Sequence, residues 1–214
     1  MWLRIAVVTL CLLMGRMGLA AEPKNITPGE VALIPEYCRD AQGFETRGFP
    51  ERPTPGQARW IPAMGRSFWA VHHYCWALVG VNRAKRAGVS VQDRKFLYES
   101  AVSDGAYVLQ NASPDFVLLP EIHLRMGQFY IALGDWGRAL DHLNKSWELK
   151  PDYWPAYLEL ATINKAHGRR QAAIDVLNAG LQQVPGQLQL TEALQSLMAS
   201  DRQAPGKRTP QTKP

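Results

Sequence analysis

Two consecutive stretches of this chain share one pattern of small, large and turn residues. They read PEIHLRMGQFYIALGDWGRALDHLNKSWELKPD, from Pro120 to Asp152, and WPAYLELATINKAHGRRQAAIDVLNAGLQQVPG, from Trp154 to Gly186. The two stretches align without a gap at an offset of 34 residues. A fixed period of this length predicts a repeated supersecondary unit. The matched pairs are Gly127 with Ala161, Gly134 with Gly168, Ala139 with Ala173, Leu143 with Leu177, Ser146 with Gly180 and Pro151 with Pro185.

These matched positions resemble the signature of the tetratricopeptide repeat family. That signature has small residues at places eight, twenty and twenty-seven, a large apolar residue at place twenty-four and a proline at place thirty-two. Tyr130 fills the usual aromatic eleventh place, but Asn164 departs from it, and His123 and Tyr157 stand where tryptophan is common. The resemblance implies an all-α fold, an α-α superhelix built as a right-handed solenoid.

Two repeats rarely bury enough surface alone, so we expect about three helix pairs and a cap helix. Apolar residues at three- and four-residue spacing predict a divergent first pair, with helices over Met64–Ala87 and Val91–Asn111. Gly88 should end the first of these helices. Ser113–Pro114 fits either an N-cap with a first-turn proline or the turn before the next helix. The cap helix is predicted over Gln187–Ala199.

Before the helical region lies a proline-rich segment, which we predict to be irregular. One short helix is expected around Gly29–Tyr37, and Gly43–Pro62 should be extended, with Trp60 and Ile61 buried against the helices. The predicted divisions are a signal peptide over 1–21, this segment over 22–63, the divergent pair over 64–112, two repeats plus the cap over 113–200, and a disordered basic tail over 201–214.

The first residues, MWLRIAVVTLCLLMGRMGLAAE, are typical of a secretory signal peptide. Arg4 precedes the apolar run Ile5–Met14, and small residues allow cleavage after Ala20 or Ala21. A retained membrane anchor is the alternative, but ten apolar residues fall short of the roughly 20 that a spanning helix needs. We therefore predict an exported protein, located in the periplasm if the source is bacterial.

The charge of the chain lies mainly at its ends. The formal net charge is +5, of which Arg4 and Arg16 leave with the signal peptide. The remaining excess of +3 equals the charge of the tail DRQAPGKRTPQTKP, so the body is close to neutral. This distribution argues against nucleic-acid binding. The tail lacks large apolar residues and can make weak contact with anionic polymer or lipid.

The stretch FWAVHHYCWALVG, Phe68 to Gly80, concentrates groups that can carry chemistry. His72 and Cys75 could supply two metal ligands, with Cys38 a third, or they could form a thiolate pair. No zinc or haem motif accompanies them. For an exported chain we predict instead a disulfide between Cys38 and Cys75. It would attach the N-terminal segment to the first long helix and stabilise the fold by roughly 3–4 kcal/mol.

The family resemblance also implies where a partner binds. In such solenoids the concave face is lined by the first helix of each repeat, at places two, five, six, nine and twelve. The residues that occupy these places in this chain lack the Lys/Asn pattern of repeats that clamp a C-terminal carboxylate. Their mix of apolar and charged side chains suits an amphipathic helix or extended peptide. Carried onto this chain, these places are Glu121, Leu124, Arg125, Gln128 and Ile131, then Pro155, Leu158, Glu159, Thr162 and Lys165.

The functional prediction is an exported, non-enzymatic scaffold or assembly factor of the bacterial cell envelope. It would bind a protein or peptide and use no cofactor. The alternative is a metal-binding or thiol-dependent enzyme that uses Cys38, His72, His73 and Cys75. A third hypothesis is a membrane-tethered component that keeps its first segment.

Overall fold

The computed structural model describes residues 22–44 and 52–202, and for 200–202 the backbone alone. All regular elements in these ranges are helices, ten α-helices and one 3-10 helix. The predicted signal peptide lies outside the described residues, as does the tail beyond Arg202. The α-helices are α1 Pro28–Val31, α2 Glu36–Asp40, α3 Pro55–Met64, α4 Val71–Ala84, α5 Val91–Asn111, α6 Leu119–Ala132, α7 Trp136–Leu149, α8 Trp154–Ala166, α9 Arg170–Gln183 and α10 Leu188–Arg202.

The long helices pack in consecutive pairs. Helix α4 packs on α5, α6 on α7, and α8 on α9, while the second helix of each pair contacts the first helix of the next element. Helix α10 closes the series against α8 and α9. This arrangement confirms the all-α, tetratricopeptide-like superhelix. The cap helix ends at Arg202 rather than at Ala199, so it is slightly longer than predicted.

Small residues allow the two helices of each repeat to approach closely. A Cβ atom on Gly127 would lie 2.6 Å from Leu143 Cγ and 3.3 Å from the Ala139 carbonyl oxygen. Ser146 is fully buried, and its Oγ donates a 2.7 Å hydrogen bond to the Pro120 carbonyl. The positions that define the repeat in the sequence are therefore the positions at which α6 and α7 touch.

Glycines also end the first helix of each repeat. Gly134 and Gly168 adopt φ angles of 77° and 70°, a left-handed conformation that glycine adopts without steric cost. The residue after Gly134 starts the next helix, because Asp135 Oδ1 accepts a 3.0 Å hydrogen bond from the Arg138 amide. The chain therefore reverses direction over three residues.

The proline-rich segment is more helical than we predicted. The short helix expected near Gly29–Tyr37 is divided into α1 and α2, and α3 occupies part of the stretch expected to be extended. Thr54 begins α3 with a capping box: its Oγ1 accepts from the Gln57 amide at 3.3 Å, and Gln57 Oε1 accepts from the Thr54 amide at 3.0 Å. Pro55 sits at the first helical position, where a missing N–H has no cost.

Trp60 fixes α3 against α2. Its Nε1 donates a 2.6 Å hydrogen bond to Asp40 Oδ2, and its ring lies edge-on to Tyr37 at 6.0 Å. Trp60 and Ile61 are partly buried against the main core. The prediction that these two residues pack on the helices is confirmed, although the backbone that carries them is helical rather than extended.

The first long helix also differs from the prediction. Its expected first turns form a 3-10 helix over Gly65–Ala70, and α4 ends at Ala84, three residues before the predicted end. Gly65 has a φ of 58°, which interrupts the helix that precedes it. Helix α5 has the predicted bounds. Ser113 lies in the turn before α6, where its amide donates to Ser67 Oγ at 2.9 Å, so the turn interpretation of Ser113–Pro114 is right.

Candidate partner-binding face

Polar side chains connect the first helices of the two repeats. Arg125 Nη1 on α6 donates a 3.1 Å hydrogen bond to Gln128 Oε1, and Gln128 Nε2 donates to the Glu159 carboxylate on α8. We call the surface around these three residues and Ile131 the A-helix face. The side-chain amide of Gln128 thus accepts from the Arg125 guanidinium and donates to the Glu159 carboxylate. It links two opposite charges on this face.

A cleft of about 380 Å³ opens at the A-helix face. One wall comes from the predicted binding residues Arg125, Gln128, Ile131 and Glu159. The other comes from α4 and α5 and from two residues of the N-terminal segment, among them Leu33, which is 69% exposed. The cleft thus combines an apolar rim with a few polar groups, the composition that ligand-binding clefts share. Its further lining residues are Pro35, Leu78, Val81, Asn82, Lys85, Tyr98 and Phe129.

Other residues predicted to bind a partner are engaged within the chain. Leu124 is 4% exposed and belongs to the main core. Glu121 Oε1 accepts a 2.7 Å hydrogen bond from the Tyr74 hydroxyl on α4. Burial and the neighbouring Glu121 charge raise the pKa of Tyr74, so this hydroxyl stays protonated and remains the donor. Glu121 therefore faces the first helix pair, and Leu124 is buried away from solvent.

The predicted residues on α8 spread along its length. Leu158 is partly buried against α9 and α10. Thr162 is exposed, and its Oγ1 donates to the Leu158 carbonyl at 2.8 Å. Lys165 is exposed one turn further on, and Pro155 lies half-buried in the first turn of α8. Only Glu159 of this set meets the α6 residues at the cleft.

The N-terminal segment is covalently attached beside the cleft. Cys38 and Cys75 form a disulfide with an S–S distance of 2.00 Å, and both residues are fully buried. Tyr37, the residue before Cys38, is only 8% exposed. Its burial and the nearby charge of Glu121 raise the pKa of its hydroxyl. The segment is therefore fixed to α4 at Cys75, and two of its residues, Leu33 and Pro35, line the cleft.

A second attachment point is an ion pair cluster around Glu30. Its Oε1 accepts from Arg83 Nε at 2.6 Å and from Arg86 Nη2 at 2.7 Å, although Glu30 itself is only 4% exposed. The hydrogen bond from Arg83 is the main cause that lowers the pKa of Glu30 to about 2. The sequence carried a signal that we did not use, since Thr27 and Glu30 form a capping box of the S/T-x-x-E type.

The histidines of FWAVHHYCWALVG serve packing. His72 Nδ1 donates to the Trp69 carbonyl at 2.8 Å, and burial lowers the pKa of His72 to about 4. His73 Nδ1 donates to Asp104 Oδ1 at 2.7 Å. Burial raises the pKa of that aspartate, which is 1% exposed. Asp104 on α5 was missed by sequence reasoning, because nothing in a helix pattern identifies which charged residue will be buried.

The alternative enzyme hypothesis needs a free thiol at Cys38 or Cys75, but these two cysteines are joined in a disulfide. The hydrogen bonds of His72 and His73 go to Trp69 and Asp104. Within the described ranges, no group of three or more His, Cys, Asp or Glu side chains could hold a metal ion. Nothing in the described structure favours an enzyme that uses Cys38, His72, His73 and Cys75.

Comparison with known proteins agrees with the repeat architecture. Residues 130–200 match the tetratricopeptide repeat family. These residues, about a third of the chain, are therefore similar to tetratricopeptide repeats, a fold that generally serves protein interaction. No curated protein matches the chain. In the described part of the chain, no helix is both long and apolar enough to cross a membrane.

Proposed function

We propose that this chain is an exported, non-enzymatic scaffold or assembly factor of the bacterial cell envelope. Its partner is a protein or peptide that binds at the A-helix face as an amphipathic helix or an extended segment. The observation that carries the proposal is the cleft at which Arg125, Gln128, Ile131 and Glu159 come together beside the N-terminal segment. Its mixed apolar and polar lining suits a peptide that buries apolar side chains and pairs a few charges.

Two features of the chain support export. The first 21 residues have the pattern of a cleavable signal peptide, and the Cys38–Cys75 disulfide suits an oxidising compartment. Intact mass of the protein recovered from the cell envelope tests this part. We expect a mature chain that begins at Ala21 or Glu22 and takes up alkylating reagent only after reduction. A chain that retains its first residues would support the membrane-tethered hypothesis instead.

Site-specific photocrosslinking tests the location of the partner. A photoreactive amino acid is placed at Ile131 or Thr162, on the first helices of the repeats, and at the matched exposed position Asn178 on α9. We expect the same partner to crosslink from both first-helix positions and not from Asn178. Equal crosslinking from Asn178 would place the partner on another face.

The identified partner is then titrated with purified variants. Glu159→Lys reverses one charge of the cleft, and Ile131→Asp adds a charge where the cleft is apolar. We expect each to weaken binding by at least about fivefold, since an interfacial apolar or charged contact near the centre is worth more than about 1 kcal/mol. Asn178→Asp is the matched control and should leave the affinity unchanged. Unchanged affinity in both cleft variants would contradict the proposal.

A further inference from the structure

Two histidines face each other inside the first repeat, away from the cleft. His123 lies on α6 and His142 on α7, and their Nδ1 atoms are 3.0 Å apart. The ring centroids are 5.1 Å apart with an angle of 37° between the planes. Tyr130 stacks on His142 from the other side, with ring centroids 5.4 Å apart. Each imidazole is thus held by a different helix, and each turns its Nδ1 atom toward the other ring.

Each imidazole can supply one nitrogen lone pair to a metal ion. Neutral imidazole is the commonest side-chain ligand for metal ions and binds them through Nδ1 or Nε2. If both rings carry their proton on Nε2, both Nδ1 lone pairs are available between the helices.

The separation of the two nitrogens fits one shared ion. Metal–imidazole bonds of about 2.0–2.1 Å place two adjacent nitrogen ligands about 2.9 Å apart at a right angle and about 3.4 Å apart at the tetrahedral angle. The observed 3.0 Å lies between these two values, so one ion can contact both nitrogens.

The surrounding charges also permit a cation. Arg138 is paired with Asp135 at 2.6 Å, and Lys145 with Glu148 at 3.4 Å, so a carboxylate lies beside each of these positive charges. Asp141, the residue before His142, adds a further negative charge.

We propose that His123 and His142 form a two-ligand site for a divalent transition-metal ion, with solvent oxygen atoms completing the coordination. Cu²⁺ is the first ion to test, because it has the highest affinity of the first-row divalent ions for nitrogen ligands. A bound ion would join α6 to α7. This inference is independent of the partner-binding proposal.

The test uses the purified chain without a polyhistidine tag, titrated with Cu²⁺ against a competing chelator. Electron paramagnetic resonance of the tightest bound ion should show hyperfine splitting from two equivalent nitrogens. His123→Ala and His142→Ala should each weaken binding by at least about tenfold, since even loss of an outer-shell partner costs 10–100-fold in metal affinity. His167→Ala, at an exposed histidine beyond the end of α8, is the control and should bind as the wild type does.

A second measurement covers the case in which either variant fails to fold, as judged by circular dichroism. Substoichiometric Cu²⁺ is added to the wild-type chain, and the paramagnetic broadening of its nuclear magnetic resonance signals is mapped. We expect the broadening to centre on His123, His142 and Tyr130. Broadening centred elsewhere, or equal affinity in the wild type and both folded variants, would overturn the proposal and leave the 3.0 Å contact as an interhelical hydrogen bond.

Discussion

The two halves of the helical array are held together by different kinds of contact. In the repeats, small residues such as Gly127 and Ser146 let paired helices meet, and large residues such as Leu143 fill the space between them. In the first half, α4 and α5 pack as a pair, but the N-terminal segment is attached to them by the Cys38–Cys75 disulfide and the Glu30 cluster.

This difference reflects how far apart in sequence the contacting residues lie. The helices of a repeat are neighbours in the chain, so residue size at fixed spacing is sufficient to specify their packing. The N-terminal segment instead contacts helices more than thirty residues further along, and ordering it costs conformational entropy. A covalent link and a buried ion pair offset that entropy at a few points. The following predictions test this contrast, beginning with the largest effect.

Removing the disulfide should have the largest effect. We expect the Cys38→Ala/Cys75→Ala variant to lose roughly 3–4 kcal/mol of unfolding free energy, because the unfolded chain regains the freedom of an open loop. Urea denaturation of the variant and of the oxidised wild type measures the difference. Limited proteolysis should then cleave the N-terminal segment first. A loss below about 1 kcal/mol would mean that noncovalent contacts alone hold the segment.

In the repeats, one buried side chain should matter almost as much. Leu143 is fully buried against Gly127, so we expect Leu143→Ala to cost about 3 kcal/mol of unfolding free energy, through lost burial and the cavity left behind. Leu143→Met keeps most of the volume and should cost less than about 1.5 kcal/mol. Leu149→Ala, at a residue 38% exposed on the same helix, is the control. Equal losses of unfolding free energy at Leu143 and Leu149 would contradict the packing role of Leu143, the large apolar residue at place twenty-four of the repeat.

The Glu30 cluster should contribute less than the disulfide, and in a pH-dependent way. We expect Glu30→Gln to lower the unfolding free energy by about 2 kcal/mol at pH 7, since three hydrogen bonds from arginine side chains lose the carboxylate charge. The pKa of Glu30 is about 2 in the folded chain and ordinary in the unfolded one, so its stabilisation is complete above about pH 5. It is lost as the pH falls from there toward 2.

Denaturation at several pH values distinguishes this account from a general acid effect. The difference in unfolding free energy between wild type and Glu30→Gln should shrink between pH 5 and pH 2. Glu36→Gln is the matched control, because Glu36 pairs with Arg59 at 2.8 Å but both side chains are more than half exposed. Its effect should stay within about 0.5 kcal/mol. A difference for Glu30→Gln that is constant with pH would show that the carboxylate charge is not what stabilises the segment.

The repeat fold could be predicted from the sequence because residue size at fixed spacing carries the information. The structure of the proline-rich segment could not be, although two local signals were present, the capping boxes that begin at Thr27 and Thr54. Thr54-Pro55-Gly56-Gln57 has the spacing of a capping box, but four nearby prolines suggested an extended chain. Proline at the first position of a helix is compatible with helix formation. The position of Pro55 was therefore more informative about secondary structure than the number of prolines nearby.

The candidate site was predictable only in part, for a different reason. Family position identified Arg125, Gln128, Ile131 and Glu159, which line the cleft. It also predicted Leu124, which is buried in the main core, and Glu121, which accepts a hydrogen bond from Tyr74 on α4. A repeat position specifies which way a side chain points on a bare solenoid. It contains no information about which other elements of this chain pack on that side.

The smallest predicted effect concerns the start of α7, where the repeat turn is made. Asp135 Oδ1 accepts a hydrogen bond from the Arg138 amide at 3.0 Å, and Oδ2 pairs with the Arg138 guanidinium. We expect Asp135→Ala to lower the unfolding free energy by about 1 kcal/mol, the usual contribution of an N-cap. Asp135→Asn keeps an acceptor for the amide and should recover most of this loss, because the exposed ion pair contributes little. Equal losses in both variants, measured by urea denaturation, would instead assign the stabilisation to the charge of Asp135 and to its pairing with Arg138.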